Sequence, residues 1–136
     1  MPKTYIGGRA RRRGERYKVY DVYDKKGFVH NIKVLMAKED SSNDGIPQFS
    51  NARNTTYFLA KKKDDGDVKI LSIAIYRNHK VVENIDLNEI DGLHFHTWKT
   101  KTKRNKLVQY KIGEHRTDLT AKHLKLIQYA KEWNDR

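Results

Sequence analysis

The chain has 136 residues, with 29 lysines and arginines against 17 aspartates and glutamates, for a formal net charge of +12. This length suits one domain, and the charge favours a polyanionic partner. The absence of cysteine excludes disulfides, thiolate catalysis and cysteine-ligated zinc. No apolar secretory core opens the chain and no run of about 18 apolar residues occurs in it, so we expect a cytoplasmic protein that makes no membrane contact.

Residues 1–16 are basic, interrupted by glycine and poor in apolar side chains. Such a segment buries too little surface to offset the entropy lost on ordering, so we predict a flexible basic arm over 1–16, followed by a single domain over 17–136. Guanidinium groups suit phosphate contacts, and the arm provides Arg9, Arg11, Arg12, Arg13 and Arg16. We interpret the arm as an electrostatic contact to nucleic acid, with a tail that only aids solubility as the alternative.

Alternating apolar and polar side chains indicate β-strands from residue 17 to residue 112. The predicted strands are Tyr17–Tyr23, Phe28–Met36, Thr55–Lys61, Val68–Arg77, Val81–Leu87, Leu93–Lys99 and Lys106–Ile112. Residues 38–53 form a long loop to which we assign no chemistry, and Asp65-Gly66 is a strong hairpin signal. Because most turns are short, we predict an antiparallel, strongly curved, barrel-like meander of about six or seven strands.

One helix is predicted, over residues 119–133, near the C-terminus. Its apolar face consists of Leu119, His123, Leu126, Ile127, Ala130 and Trp133. Packed on the sheet, it gives an α+β domain, in which His123 is either a hydrogen-bonded core residue or a neighbour of His94 and His96. The arrangement resembles small bacterial ribonuclease toxins and RNA-binding barrels at the level of fold alone, and no motif carries over.

Residues 93–106 combine histidine, tryptophan and a run of cations without an acid. On a strand, His94, His96 and Trp98 share one face. The cations that follow are Lys99, Lys101, Lys103, Arg104 and Lys106. Trp98 among these cations predicts a base-stacking, phosphate-binding surface. The alternative is a charged sheet edge that only prevents aggregation.

The function that we expect is nucleic-acid binding, with RNA favoured over DNA, through the arm and the 99–106 hairpin. A metal-independent, toxin-like ribonuclease is an alternative, in which His94 or His96 is the base and His115 its partner. Antiparallel pairing of 93–99 with 106–112 would return His115 near Leu93. The phosphate clamp would be Lys99, Lys101 or Arg116.

Two further readings stay open. In the first, His94 and His96 share a metal ion with one of His115, His123, Asp91 or Glu89. Because the surrounding cations disfavour a dication, we assign no metal ligand and expect no cofactor. In the second, the protein is an inhibitor or adaptor that docks on an acidic protein surface. The sequence leaves the oligomeric state undetermined.

Overall fold

The computed structural model describes residues 5–6, 17–23, 32–37, 46–87 and 92–135. In this part of the chain there are nine strands and one helix. They are β1 (Tyr5–Ile6), β2 (Tyr17–Tyr23), β3 (Ile32–Ala37), β4 (Phe49–Ser50), β5 (Thr55–Lys62), β6 (Val68–Arg77), β7 (Lys80–Asp86), β8 (Phe95–Lys103), β9 (Lys106–Lys111) and α1 (Ala121–Asn134). Apart from β1, the basic arm predicted over 1–16 lies outside the described residues.

Strands β5 to β9 form the antiparallel meander that the sequence predicts, each strand pairing with the next along the chain. Strands β2 and β3 form a further antiparallel pair. The α+β class is therefore confirmed, although the sheet is mixed, because β3 runs parallel to β5 and β1 runs parallel to β4. The strand order has two ends and the sheet is open, so "barrel-like" describes it only loosely.

The parallel pairing follows from the path that the chain takes between β3 and β5. After β3 the chain crosses to the far edge of β7, where Phe49 of β4 pairs with Lys80, and then returns beside β3. Pro47 is fully buried along this path, and its carbonyl accepts a hydrogen bond from the Tyr76 hydroxyl. A parallel connection needs a long crossover.

An apolar cluster lies on each face of the sheet. Neighbouring residues of β6 alternate between the two clusters: Ile73 and Ile75 pack beneath α1, whereas Ala74 and Tyr76 belong to the opposite cluster. Burial on both faces explains why β6 reads as a continuous apolar run. The half-buried Trp98 packs against the second cluster.

Helix α1 begins at a reciprocal cap between Thr120 and His123. The Thr120 hydroxyl accepts from the His123 backbone N–H at 3.2 Å, and His123 Nδ1 accepts from the Thr120 backbone N–H at 3.1 Å. At the other end, the Asn134 side chain makes two hydrogen bonds to the backbone of Ile70 in β6, at 2.6 and 3.0 Å. With 14 residues, α1 is too short to cross a membrane, and the described residues contain no longer helix.

Strands β8 and β9 extend beyond the sheet as a two-stranded ribbon of residues 98–111. β8 pairs with β7 only through Phe95, His96 and Thr97, and from residue 98 onward it pairs with β9. Arg104 and Asn105 close the ribbon with φ angles of 52° and 63°, as the preferred two-residue hairpin turn requires. The inner face is anchored through Gln109, whose side chain donates to the Val81 carbonyl at 2.6 Å.

Candidate functional site: a histidine cleft at the base of a basic ribbon

Three histidines meet where the ribbon leaves the sheet. His94 and His96 flank the first residue of β8, and His115 follows β9. A bridge pairs Phe95 with Arg116 through two backbone hydrogen bonds of 2.8 and 2.9 Å. Because this bridge fixes the chain on either side of it, the His115 ring lies against both other rings, with centroids 4.2 Å from His94 and 4.7 Å from His96. The return of His115 that the sequence predicts is thus present.

Backbone carbonyls set the orientation of two of these rings. His94 Nδ1 lies 2.8 Å from the Gly92 carbonyl oxygen, and His96 Nδ1 lies 3.3 Å from that of Ile112. A carbonyl oxygen can only accept, so Nδ1 carries the hydrogen in both rings. In the neutral state, therefore, each Nε2 presents a lone pair. Both side chains are buried, with His94 4% and His96 5% exposed.

Asp86 brings a carboxylate to the two Nε2 atoms. Its Oδ2 lies 3.7 Å from His96 Nε2 and 4.0 Å from His94 Nε2. Its Oδ1 accepts from Asn84 Nδ2 at 3.3 Å, and it lies 3.5 Å from the Ser72 hydroxyl, which is nearer to the Ile85 carbonyl at 3.3 Å. Asn84 is fully buried and accepts from the Trp98 indole N–H at 2.8 Å. A chain of hydrogen bonds thus runs from Trp98 through Asn84 to the carboxylate.

These groups line an open cleft of about 440 Å³, called here the histidine cleft. Its walls are Leu71, Asp86, His94, His96, Lys111, Gly113 and His115. His115 and Lys111 are exposed, so the cleft is open to solvent on their side. Burial lowers the pKa of His96, and the Lys111 ammonium adds to this effect, while the Ile112 carbonyl and Asp86 oppose it. His96 is therefore predominantly neutral at pH 7.

His123 belongs to a different environment. Its ring packs on Phe95, with centroids 4.4 Å apart, and its Nε2 lies 3.0 Å from Glu83 Oε1. Because Nδ1 accepts from the Thr120 N–H, Nε2 donates to Glu83. Adjacent residues of a strand face opposite sides, so Phe95 and His123 are separated by the sheet from the rings of His94 and His96. Of the two interpretations of His123, the structure supports the hydrogen-bonded core residue.

The register of the ribbon sorts its side chains onto two faces. Lys99 lies opposite Tyr110, Lys101 opposite Val108 and Lys103 opposite Lys106. These six residues share the outer face, and all four lysines are exposed. Trp98, in contrast, lies on the inner face against the sheet. Tyr110, which the sequence analysis did not single out, is the aromatic residue among the lysines, with the Lys101 ammonium 4.9 Å from its ring centroid.

Other predicted site residues have different surroundings. Arg104 is exposed at the ribbon turn, and Arg116 makes two hydrogen bonds to Asp118, at 3.1 and 2.5 Å, which lower the pKa of that carboxyl group. The arm residues Arg9, Arg11, Arg12, Arg13 and Arg16 lie outside the described residues, as do Glu89 and Asp91.

Asp86 and Lys111 are the cleft residues that sequence reasoning missed. The alternation of β7 places Asp86 on the face of Asn84, but only the register of β7 against β8 brings that face to His94 and His96. Of the acidic residues before β8, only Glu89 and Asp91 were considered as metal ligands from the sequence.

No protein-family model matches the chain, and comparison with curated proteins and with solved structures found no significant match.

Proposed function

We propose that the protein binds nucleic acid through the outer face of the ribbon. The observation that carries this proposal is the register that collects Lys99, Lys101, Lys103 and Lys106 on one exposed face. No acid occurs between residues 92 and 113, and no ion pair within the described part of the chain involves these lysines. Lysines that neutralise phosphates gain affinity from the release of condensed counterions.

The aromatic ring on this face favours an unpaired strand as the ligand. Tyr110 is half-buried among the lysines: Lys99 is its cross-strand partner, and the Lys101 ammonium lies over its ring. Proteins that bind single strands combine a positive surface with aromatic rings on which unpaired bases stack. Single-stranded RNA, which presents such bases in loops and ends, is therefore the ligand that we favour.

The test compares two triple variants that remove the same charge. One is Lys99→Gln/Lys101→Gln/Lys103→Gln on the ribbon. The other is Lys61→Gln/Lys62→Gln/Lys63→Gln, at an exposed hairpin end that Asp64 and Asp65 follow. Fluorescence anisotropy would give affinities for single- and double-stranded RNA and DNA at several salt concentrations. We expect the ribbon variant to reduce the slope of log K against log salt by about 2, because each phosphate contact on a single strand contributes about 0.7.

The Lys61–Lys63 variant should keep the slope of the unmodified protein within about 0.5, less than one phosphate contact. Equal losses in both variants would mean that the protein attracts polyanions through its overall charge and has no binding face. That result would contradict the proposal.

Cleavage of the bound strand in the histidine cleft is a second candidate function. The observation that favours it is the convergence of His94, His96 and His115, with Lys111 linking the cleft to the end of β9. Imidazoles beside a cation can move protons at a phosphodiester and stabilise its charge. Incubation of purified protein with mixed-sequence RNA would reveal cleavage, and His115→Ala should abolish it. Intact RNA after prolonged incubation with the unmodified protein would reject this function.

A further inference from the structure

Three buried or half-buried hydrogen-bond acceptors face one another in the histidine cleft. We propose that they form a site for a divalent transition-metal ion of the zinc class, with His94, His96, His115 and Asp86 as its ligands. This proposal is independent of nucleic-acid binding, because it uses none of the outer-face lysines. The cations that follow in the sequence disfavour a dication, but the carboxylate of Asp86, which was not among the metal ligands considered from the sequence, offsets their charge.

The atoms that face one another in the cleft are Nε2 of His94, Nε2 of His96 and Oδ2 of Asp86. The carbonyls of Gly92 and Ile112 fix the hydrogens of His94 and His96 on Nδ1. Each Nε2 then carries a lone pair in the neutral ring, and Asp86 Oδ2 lies 4.0 Å from the Nε2 of His94 and 3.7 Å from the Nε2 of His96. A carboxylate oxygen also only accepts. Three acceptors around one point repel one another unless a positive charge lies between them, and a metal ion supplies that charge.

The spacing agrees with tetrahedral coordination. Imidazole nitrogens and carboxylate oxygens bind Zn²⁺ at about 2.0–2.2 Å, which places two tetrahedral ligand atoms about 3.4 Å apart. The two measured separations from Asp86 exceed this by about 0.3 and 0.6 Å. One ring nitrogen each of His94, His96 and His115 lies within 4.8 Å of the others. An ion lies close to the plane of each imidazole that binds it, so the exposed His115 ring must turn out of its parallel stack on His94 for both rings to bind one ion.

The surroundings hold these ligands as metal sites commonly do. Histidine ligands usually donate their second ring nitrogen to a carbonyl or carboxylate, and ligating carboxylates are themselves hydrogen-bonded. His94 and His96 donate to backbone carbonyls, while Asn84 donates to the second oxygen of Asp86. The side chains of His94, His96 and Asp86 are therefore oriented before any ion binds.

The ligand types select the class of metal. Three imidazoles with one carboxylate suit Zn²⁺, Co²⁺ and Ni²⁺, whereas Mg²⁺ and Ca²⁺ prefer oxygen ligands alone. The charges facing the site are the carboxylate of Asp86 and the ammonium of Lys111. Lys111 is exposed, so its ammonium can turn into solvent and reduce its repulsion of the ion.

The test is titration of the full chain, without an affinity tag, with Zn²⁺ in a calorimeter and with Co²⁺ by visible absorption. We expect one ion per chain, and Co²⁺ bands typical of low-symmetry tetrahedral nitrogen and oxygen coordination. His115 is exposed, so His115→Ala should fold normally and weaken Zn²⁺ binding at least about 100-fold, more than the loss of a ligand's hydrogen-bond partner costs. The matched control is His79→Ala, which removes an exposed histidine from the β6–β7 turn and should leave the affinity unchanged.

Asp86→Asn provides a second variant, because it keeps the shape of the side chain and removes its charge; it should also weaken Zn²⁺ binding. The proposal is overturned by the absence of stoichiometric Zn²⁺ binding, by equal affinity for Mg²⁺, or by His115→Ala and Asp86→Asn both binding as tightly as the unmodified chain. If the protein also cleaves RNA, loss of cleavage in chelator and its recovery with Zn²⁺ would show that the imidazoles act as ligands. Cleavage that persists in chelator would contradict the metal site.

Discussion

The imidazole of His94 lies parallel to that of His115, with ring centroids 4.2 Å apart and an angle of 7° between the planes. His94 precedes the ribbon and His115 follows it, so the two residues meet at its base although they are 21 positions apart in sequence. The stack is made possible by the Phe95–Arg116 bridge, which holds the two chain segments together. Loss of either ring therefore removes a wall of the histidine cleft. It also removes a contact between the chain segments that enter and leave the ribbon.

Binding of Zn²⁺ should stabilise the fold. A ligand that binds only the native state at 100 times its dissociation constant raises the free energy of unfolding by about 2.7 kcal/mol. Urea unfolding with and without that concentration of Zn²⁺ would measure the gain, which His115→Ala should abolish. An equal gain in the variant would place the ion at another site.

Removal of the Asn84 side chain should weaken both stability and metal binding. Asn84→Ala leaves the Trp98 indole N–H without its acceptor and Asp86 without one donor, so we expect a loss of about 1–3 kcal/mol in the free energy of unfolding. Zn²⁺ affinity should fall about 10- to 100-fold. Asn51→Ala, at an exposed position, is the control for both measurements. Unchanged Zn²⁺ affinity in Asn84→Ala would show that the orientation of Asp86 does not matter.

Substitution of His123 should affect stability alone. His123→Ala removes a buried ring from Phe95, one partner of the helix cap and the donor to Glu83, for a combined loss of about 2–4 kcal/mol. Glu83→Gln should cost less, because its amide oxygen can still accept from Nε2. Chemical denaturation would give both values. A change of Zn²⁺ stoichiometry in His123→Ala would contradict the separation of His123 from the cleft.

Tyr110 should contribute selectively to the binding of single strands. Loss of one base-stacking ring typically costs about 1–3 kcal/mol, so Tyr110→Ala should weaken binding of single-stranded RNA roughly 5- to 150-fold. Binding to a duplex, whose bases are already stacked, should change much less. Tyr20→Ala, at an exposed tyrosine of β2, is the matched control. Equal losses for single and double strands would assign Tyr110 a role in supporting the ribbon.

The local features of this fold could be read from the sequence. The apolar run of β6, the helical spacing of the buried α1 residues and the shared face of His94 and His96 each depend on neighbours in the chain. Even the position of His115 follows, because an antiparallel hairpin must return the chain to its starting point.

The non-local features could not be predicted in the same way. The parallel pairing of β3 with β5 joins strands that are distant in sequence, and residues 38–53 between them have no periodicity from which to predict it. Asp86 meets the histidines through the register of β7 against β8, which involves only three residue pairs. Trp98 stands beside a run of cations in the sequence and was predicted to lie on a binding surface. It faces inward instead, because the sheet has a second apolar cluster there.

The histidine cleft and the tip of the ribbon are built from separate parts of one hairpin. The cleft uses the two ends of the hairpin, whereas the outer lysines lie along its length and Arg104 lies at its turn. Side chains alternate between the two faces along each strand. Insertion or deletion of two cross-strand pairs near the turn would therefore change the number of outer lysines but not which of the remaining side chains face outward. Natural variation could therefore lengthen or shorten this hairpin and leave the residues of the histidine cleft in place.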